Sequence, residues 1–313
     1  MKPVLLVLIP LADAHLAQLH ERYDVRHAPT AAARDAAIAH ADAGAIRVVL
    51  TNGAVGLKGA EMDRLGGLEL VCALGAGYEN IDLDAARRRG IAVGNGAGTN
   101  DDCVADHAFG LLLAAVRGLR KLDAHTRAGG WRDGLPPLPN FSHQRLGILG
   151  LGTIGRKIAQ RARGFELEVG YHNRRKLDDT SYAYFDTPLA LAEWADYLVV
   201  VTPGGAATRH LVNADVLRAL GAGGFVVNVA RGSVVDTAAL AAALRDGTIA
   251  GAGLDVYESE PEAPAELLDL DNIILTPHVG GNSPRAMAAS VQRFLDNAAR
   301  HFAGQPLVSP VTL

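Results

Sequence analysis

The sequence predicts an α/β protein made of two doubly wound parallel-sheet domains, with one domain inserted into the other. Short apolar runs rich in β-branched residues alternate with helical patterns along the 313 residues, as is typical of parallel sheets. A G-x-G-x-x-G turn at residues 150–155 begins a fresh series of strands and helices near residue 145. The strands before residue 95 are therefore expected to form a separate unit, and both units are expected to be of the Rossmann/flavodoxin-like class.

The apolar runs place four strands in the first domain and six in the second. In chain order the predicted strands are residues 4–9, 47–51, 68–74 and 91–93, followed by 146–149, 167–171, 197–202, 225–229, 253–256 and 273–276.

Two helices are predicted to connect the domains. Asn100 is expected to cap a long apolar helix that runs to about residue 128 and crosses into the second domain. Ser283, followed by a proline, is expected to start another helix that ends near residue 301 and returns to the first domain. The predicted domains are therefore residues 1–98 with 284–313, and residues 99–283.

Composition narrows the classes of protein. A formal net charge of −4 and a hydrophobic content of 49% predict a soluble globular protein that does not bind nucleic acid. The apolar run at residues 4–9 is too short for a signal peptide or a membrane span. Cys72 and Cys103 are the only cysteines and have no metal-ligand spacing. We therefore expect a cytoplasmic protein with no metal site and no disulfide.

The glycine-rich turn predicts a site for the pyrophosphate of a dinucleotide. Gly150 allows a tight turn, Gly152 lets the backbone approach phosphate, and Gly155 allows close packing of helix on sheet. Thr153 and Ile154 begin the helix, whose N-terminus faces the anion. Such turns also occur as plain structure, but the strand before and the helix after this one favour the binding site.

The end of the next strand predicts which dinucleotide binds. NAD-binding domains place an acidic residue here to bind the ribose 2′-hydroxyl, whereas this chain has Asn173, Arg174 and Arg175. Asn173 cannot repel a 2′-phosphate, and the two arginines can make charge-assisted hydrogen bonds to it. NADP(H) is therefore the expected cofactor and NAD(H) the alternative. A solvated basic loop is the competing structural interpretation.

Three later strands are followed by polar residues that suggest a reaction. Arg231, Glu260 and His278 each follow a predicted strand. Ligands of open α/β sheets bind outside the carboxyl ends of the strands, so these side chains are expected to converge. Each also has a structural interpretation: Arg231 as an ion-pair partner, Glu260 as a turn residue with Glu258 as its rival, and His278 as a loop histidine.

Together these segments resemble the D-isomer-specific 2-hydroxyacid dehydrogenase family. The resemblance rests on Gly75-Ala76-Gly77-Tyr78-Glu79-Asn80-Ile81-Asp82, the turn at residues 150–155, Asn228-Val229-Ala230-Arg231-Gly232, residues 253–261, and Pro277-His278-Val279-Gly280. It implies a substrate domain, residues 1–98 and 284–313, interrupted by an NAD(P)-binding Rossmann domain, residues 99–283. Asn173-Arg174-Arg175 and Ser181-Tyr182-Ala183-Tyr184 most resemble the NADPH-preferring glyoxylate/hydroxypyruvate and hydroxyphenylpyruvate reductases.

The chemistry of the three polar residues fits that resemblance. Hydride transfer to a 2-keto acid produces an alkoxide, which an imidazolium at His278 can protonate. Glu260, hydrogen-bonded to the imidazole, would raise its pKa. Arg231 can bind the substrate carboxylate and polarise the carbonyl through its fixed fork of donors.

The resemblance also implies further contacts. The glycine loop at residues 74–77 exposes backbone N–H groups that could bind a carboxylate, although a plain strand–helix turn is the alternative. Substrate contacts are expected from Asn52, Ala76, Gly77, Arg231 and His278. Further cofactor contacts are expected from Thr202, Pro203, Ala230, Arg231, Asp255, His278 and Gly280. Residues 280–283 depart from the usual family pattern, which leaves the contacts on the nicotinamide side open.

The predicted activity is NADPH-dependent reduction of small 2-keto acids to D-2-hydroxy acids, with glyoxylate and hydroxypyruvate first and hydroxyphenylpyruvate or 2-ketogluconate as further substrates. The alternatives are an NAD-dependent phosphoglycerate or D-lactate dehydrogenase and, in another class, a dinucleotide-sensing protein similar to corepressors. The family implies a homodimer around the helix that begins near residue 100. Trp131 could then reach the partner's pocket or simply anchor the interface.

Overall fold

The computed structural model describes residues 2–312. The chain divides into two compact units, one formed by Met1–Asn100 with Gly281–Leu313 and the other by Asp101–Gly280. Each unit contains a parallel sheet with helices, so the predicted α/β class is confirmed. No helix within the described residues is long and apolar enough to cross a membrane.

The first unit has a five-stranded parallel sheet in the order β2-β1-β3-β4-β5. Its strands are β1 Val4–Val7, β2 Asp24–His27, β3 Ile46–Thr51, β4 Leu70–Ala73 and β5 Ala92–Gly94, and its first helices are α1 Asp13–His20, α2 Ala31–Ala39, α3 Gly59–Arg64 and α4 Leu83–Arg89. Alternate residues of β1 enter different cores, with Leu5 in one and Leu6 in the other. Burial on both faces explains why these strands are continuous apolar runs.

The sequence did not predict β2. This strand pairs only with β1 at the edge of the sheet, and its residues Asp24, Val25, Arg26 and His27 are all exposed or half-buried. An edge strand that covers little apolar surface has no hydrophobic run to mark it.

The second unit has a seven-stranded parallel sheet in the order β12-β11-β10-β9-β6-β7-β8. Its strands are β6 Arg145–Leu149, β7 Glu168–His172, β8 Ala183–Tyr184, β9 Tyr197–Val200, β10 Phe225–Asn228, β11 Gly251–Leu254 and β12 Ile273–Leu275. The order reverses at β6, because β7 and β9 lie on opposite sides of it. Such a reversal opens a crevice for ligands at the carboxyl ends of the strands.

The single long helix predicted from residue 100 to 128 is wrong. The chain forms α5 Asp101–Val116 and α6 Leu119–Arg127, separated at Gly118, which has a left-handed φ of 58°. A residue in that conformation ends an α-helix. α5 packs closely on β11, since a Cβ at Gly253 would lie 2.9 Å from the Leu111 Cβ.

The remaining helices of the second unit are α7 Thr153–Ala162, α8 Pro188–Trp194, α9 Ala214–Leu220 and α10 Thr237–Arg245. The last helix, α11 Pro284–Phe302, belongs to the first unit and begins where the sequence predicted. Its cap is Ser283, whose hydroxyl accepts a hydrogen bond from the Ala286 N–H. The buried face of α11, including Val291 and Phe294, packs in a core that also contains Leu5.

Candidate active site

The glycine turn between β6 and α7 has the geometry of a dinucleotide-binding loop. Gly150 has a φ of 104°, and a Cβ there would lie 3.0 Å from the backbone of Val201. A Cβ at Gly155 would lie 2.3 Å from the Gly150 carbonyl oxygen, so helix and loop are in close contact. At Gly152 a Cβ would meet nothing within 4 Å. Two glycines therefore close the turn, and the third leaves open space where α7 begins.

Thr202 provides a polar group beside this turn. Its hydroxyl oxygen is buried and has no hydrogen-bond partner among residues 2–312. A buried unpaired polar group costs about 1–3 kcal/mol, so a ligand that pairs with it would recover that stability. The open space at Gly152 and this hydroxyl fit a bound dinucleotide. Pro203, the next residue, accepts a hydrogen bond at its carbonyl from the Thr208 hydroxyl.

Asn173 is hydrogen-bonded to the glycine turn. Its side-chain Oδ1 accepts a hydrogen bond from the Leu151 N–H at 2.7 Å, and its carbonyl accepts one from the Tyr184 hydroxyl at 3.3 Å. From the sequence, this position shows only that an acid is absent. The structure shows that an oxygen acceptor here fixes the end of β7 against the turn.

Arg174 and Arg175 follow on the surface. Both side chains are exposed. The loop that carries them is anchored further on, where the Leu177 N–H donates to the Tyr171 hydroxyl at 2.9 Å. The loop is therefore fixed at both ends while its two guanidinium groups remain open to a ligand.

His278 and Glu260 form a direct pair. His278 Nδ1 lies 2.8 Å from Glu260 Oε2, and Glu260 Oε1 accepts a hydrogen bond from the Tyr257 N–H at 2.9 Å. His278 Nε2 has no hydrogen-bond partner within the described chain. The rival carboxylate, Glu258, instead contacts His210 Nε2 at 2.8 Å. The structure thus places Glu260, and not Glu258, on the imidazole of His278.

The pair shifts both acid–base equilibria. The hydrogen bond and negative charge of Glu260 raise the pKa of His278, against opposing effects of burial and of the Arg231 charge. Burial alone would raise the pKa of Glu260, but the hydrogen bonds from His278 and Tyr257 and the charges of His278 and Arg231 hold it below its usual value. Both shifts favour the charged pair, in which the proton is on His278 and not on Glu260.

The backbone of His278 is unusual and is held by Asp255. His278 has a left-handed φ of 53°, a conformation that costs a residue with a side chain about 1–3 kcal/mol. Its N–H donates to the Asp255 carbonyl at 2.8 Å, and the buried Asp255 carboxylate accepts from the N–H groups of Val279 and Gly280 and from the Thr276 hydroxyl. A Cβ at Gly280 would lie 2.9 Å from Asp255 Oδ2, so this contact favours glycine. Asp255 was predicted as a cofactor contact, and the structure shows that it builds the loop carrying His278.

Arg231 lies at the turn after β10, where Asn228 fixes the backbone. Asn228 is fully buried; its Nδ2 donates to the Arg231 carbonyl and its Oδ1 accepts from the Ala230 N–H, both at 3.0 Å. The stem of the Arg231 side chain packs against Gly204, where a Cβ would lie 2.8 Å from its Cγ. Asn228 was given no role from the sequence. The signal that could have indicated one is a polar residue at the end of a buried strand.

A second residue that sequence analysis missed is His107 on α5. Its Nε2 lies 2.9 Å from the Thr276 hydroxyl and 3.3 Å from the Asp255 carboxylate. It therefore joins the polar group behind the loop of His278. A lone histidine in an apolar helix gave no indication of this partner.

The predicted substrate residues of the first unit lie on two adjacent loops. Asn52 follows β3, and its Oδ1 accepts the Val55 N–H at 2.7 Å. Ala76 and Gly77 follow β4, and a Cβ at Gly53 would lie 2.8 Å from the Gly77 carbonyl carbon. The two loops are thus in backbone contact at the carboxyl ends of neighbouring parallel strands.

A parallel sheet with a dinucleotide turn at its reversal point, and an Arg–Glu–His group at the ends of three of its strands, defines the class of nicotinamide-dependent oxidoreductases. The model of the family "D-isomer specific 2-hydroxyacid dehydrogenase, NAD binding domain" matches residues 109–280. The chain belongs to this family, as its motifs predicted.

Relatives that cover 85% or more of this chain support the same family. Hydroxyphenylpyruvate reductase of Plectranthus scutellarioides is 36% identical over 98% of both chains. 2-Ketogluconate reductase of Gluconobacter oxydans is 38% identical over 85% of this chain and 86% of its own. A crystal structure of NADPH-dependent glyoxylate/hydroxypyruvate reductase from Sinorhizobium meliloti, in complex with NADP and malonate, is 38% identical with a TM-score of 0.91, covering 100% of this chain and 97% of that one.

Proposed function

We propose that this protein is an NADPH-dependent reductase that converts small 2-keto acids to D-2-hydroxy acids. The observation that carries the proposal is the 2.8 Å contact of Glu260 with His278 Nδ1, which leaves Nε2 of a proton-holding imidazole available. The relatives described above are named as reductases of 2-keto acids, which supports the same reaction class. Glyoxylate and hydroxypyruvate are the first candidate substrates, followed by hydroxyphenylpyruvate and 2-ketogluconate.

Three side chains have separate roles in this reaction. NADPH, when bound, supplies the hydride that adds to the keto carbon. His278 gives the proton on Nε2 to the keto oxygen, and Glu260 holds the imidazole in its charged form through Nδ1. Arg231 binds the substrate carboxylate and stabilises the developing negative charge on the keto oxygen. Asn52 and the N–H groups of Ala76 and Gly77 are proposed as further partners of the substrate.

The proposed preference for NADPH depends on the end of β7. Asn173 places no negative charge near a 2′-phosphate, and the exposed Arg174 and Arg175 can bind one. In this proposal Thr202, Pro203, Ala230, Asp255 and Gly280 complete the cofactor site with the glycine turn.

The decisive assay measures oxidation of NADPH and NADH across a panel of 2-keto acids. We expect turnover with glyoxylate and hydroxypyruvate, and a higher kcat/KM for NADPH than for NADH. Equal or better use of NADH would overturn the cofactor assignment. Tight NADPH binding without turnover of any keto acid would overturn the enzymatic proposal in favour of a sensor.

We also propose a homodimer whose interface includes the segment after α6. Trp131 is 71% exposed there, Leu135 and Leu138 are exposed apolar neighbours in sequence, and Leu119, the first residue of α6, is exposed as well. The loop is fixed at one point, where His125 Nε2 lies 2.8 Å from the Trp131 carbonyl oxygen. Light scattering should give the mass of a dimer, and Trp131→Ala should weaken it; a monomeric wild-type protein would overturn this proposal.

A further inference from the structure

The loop after β4 presents two neighbouring backbone N–H groups that the described chain leaves unpaired. Neither the Ala76 N–H nor the Gly77 N–H donates a hydrogen bond to any of residues 2–312. Both residues are half-buried. Successive N–H groups of this kind form a small site for an anion, provided that their directions are fixed.

The directions are fixed by the carbonyl groups of the same peptides. The Gly75 carbonyl accepts a hydrogen bond from the Gly96 N–H at 2.8 Å, and the Ala76 carbonyl accepts one from the Asn95 Nδ2 at 2.8 Å. In a planar trans peptide the N–H points opposite to the C=O. Holding these two carbonyls therefore directs the Ala76 and Gly77 N–H groups to the other side of the loop.

The side chain of Asn95 can make this bond in only one orientation. Its Oδ1 accepts from the Ala97 N–H at 3.3 Å while its Nδ2 donates to the Ala76 carbonyl. A flipped amide would set a carbonyl oxygen against the Ala76 carbonyl and a donor against the Ala97 N–H. Asn95 is also buried, with 9% of its surface exposed, so water does not readily replace the lost bond.

The backbone of Asn95 is itself held from the C-terminal segment. Its N–H donates to the Ser309 carbonyl at 3.1 Å, and its carbonyl accepts the Ser309 hydroxyl at 2.6 Å. The Ser309 hydroxyl in turn accepts from Nδ2 of Asn297, which is fully buried on α11. A connected and fully paired network of this kind gives the Asn95 side chain a single position.

We propose that Asn95 is a positioning residue for recognition of the substrate carboxylate. It acts through the 76–77 peptide, whose N–H it orients, and it does not touch the substrate. The inference rests on the proposed function, because that function supplies the carboxylate. It predicts a role in binding that is common to all 2-keto acid substrates, whatever their side chains.

The first test compares Asn95→Ala with Val93→Ala. Val93, two residues earlier on β5, is also buried in the first unit but makes no side-chain hydrogen bond to the loop. Asn95→Ala should raise KM for glyoxylate and hydroxypyruvate by about tenfold or more, the effect of losing a hydrogen bond to a charged group. The Kd for NADPH should stay unchanged. Val93→Ala should lower the Tm without raising KM.

A second variant separates positioning from general packing. Asn95→Asp has nearly the same shape, but its ionised carboxylate repels the Ala76 carbonyl, whereas a protonated carboxyl can donate to it. The ratio of variant to wild-type KM should therefore fall as pH falls. A ratio that stays constant with pH, or equal rises in KM for Asn95→Ala and Val93→Ala, would overturn the inference.

Binding of malonate in the presence of NADP+ makes the inference independent of turnover. If the wild-type protein reduces no keto acid, the proposed function fails, yet loss of malonate binding in Asn95→Ala would still support the positioning role. Turnover by the wild-type protein with an unchanged KM and malonate Kd in Asn95→Ala would overturn the inference alone. A wild-type protein that neither reduces keto acids nor binds malonate would overturn both.

Discussion

His278 Nδ1 lies 2.8 Å from Glu260 Oε2, and this contact sets which nitrogen of the imidazole can act. With Nδ1 bound to the carboxylate, the proton on Nε2 is the one available for transfer. Glu260 in turn is oriented by the Tyr257 N–H. The two side chains are therefore coupled in their protonation and fixed in position. Substitution of Glu260 should change the pH dependence of the reaction, whereas substitution of His278 should lower its rate.

The first prediction concerns pH. The pKa of His278 is raised, and reduction needs the imidazolium, so kcat/KM for reduction should fall as pH rises through that raised pKa, while oxidation should increase. Glu260→Gln keeps a hydrogen-bonding group but removes the charge, so the falling limb should move to lower pH. Profiles of kcat/KM against pH would show the shift. Glu258 contacts His210 and not His278, so Glu258→Gln should leave the falling limb of the pH profile unchanged.

The second prediction concerns the proton donor itself. His278→Ala should lower kcat for reduction by about 10²–10⁴-fold, the usual contribution of general acid–base catalysis. Circular dichroism and NADPH fluorescence should show an intact fold and retained cofactor binding. A variant with near wild-type kcat would remove His278 from the acid role.

The third prediction concerns the dinucleotide. Removal of one guanidinium by Arg174→Ala or Arg175→Ala should lower kcat/KM for NADPH by about 10–100-fold, as expected for a hydrogen bond between charged groups. The value for NADH should change little. Equal losses with both cofactors would instead indicate a structural role for the loop.

Asn173→Asp should shift preference towards NADH without disturbing the loop. Asn173 Oδ1 already accepts the Leu151 N–H, and aspartate offers an oxygen in the same place. The new charge should repel a 2′-phosphate and can accept the ribose 2′-hydroxyl. Initial rates with both cofactors would measure the change, and an unchanged preference ratio would contradict it.

Elements whose structure depends on consecutive residues were predictable from the sequence, whereas those that depend on distant contacts were not. β6 and the glycine turn were predictable because strand, turn and helix are consecutive and their periodicity changes at the turn. β2 was missed because an exposed edge strand has no apolar run. Gly118 did carry a signal for the end of α5, because glycine readily adopts a left-handed φ and the apolar run ends at Val116.

The supporting groups of the site were less predictable. The bond between His107 and Thr276 joins residues 169 positions apart, and no local pattern encodes such a contact. Asn228 lies three residues before Arg231 and was given no role, and Asp255 was predicted only as a cofactor contact, because their hydrogen bonds to the backbone form only when the strand ends are folded. Residues proposed to act directly on a ligand thus left clearer motifs than those that orient them.

A further prediction concerns Asp255, which supports His278 through the backbone. The two Asp255 oxygens accept hydrogen bonds from the N–H groups of Val279 and Gly280. In Asp255→Asn an NH2 group would replace one of these oxygens, so one of the two N–H groups would lose its acceptor at a cost of about 1–3 kcal/mol. The left-handed backbone of His278 would then lose part of its support. We expect a lower Tm and a loss of kcat that exceeds any loss of NADPH affinity.

Asp196→Asn is the matched control for that loss. Asp196 also accepts a backbone N–H, that of Arg145, and it pairs with the Arg145 guanidinium, which holds the pKa of Asp196 below its usual value despite burial. It lies in the same unit as His278, and its side chain is hydrogen-bonded to Arg145 rather than to the loop of His278. Asp196→Asn should therefore lower Tm while kcat is retained. If both variants lost activity in proportion to their Tm, global stability would explain the effect, and a specific role of Asp255 in positioning His278 would be excluded.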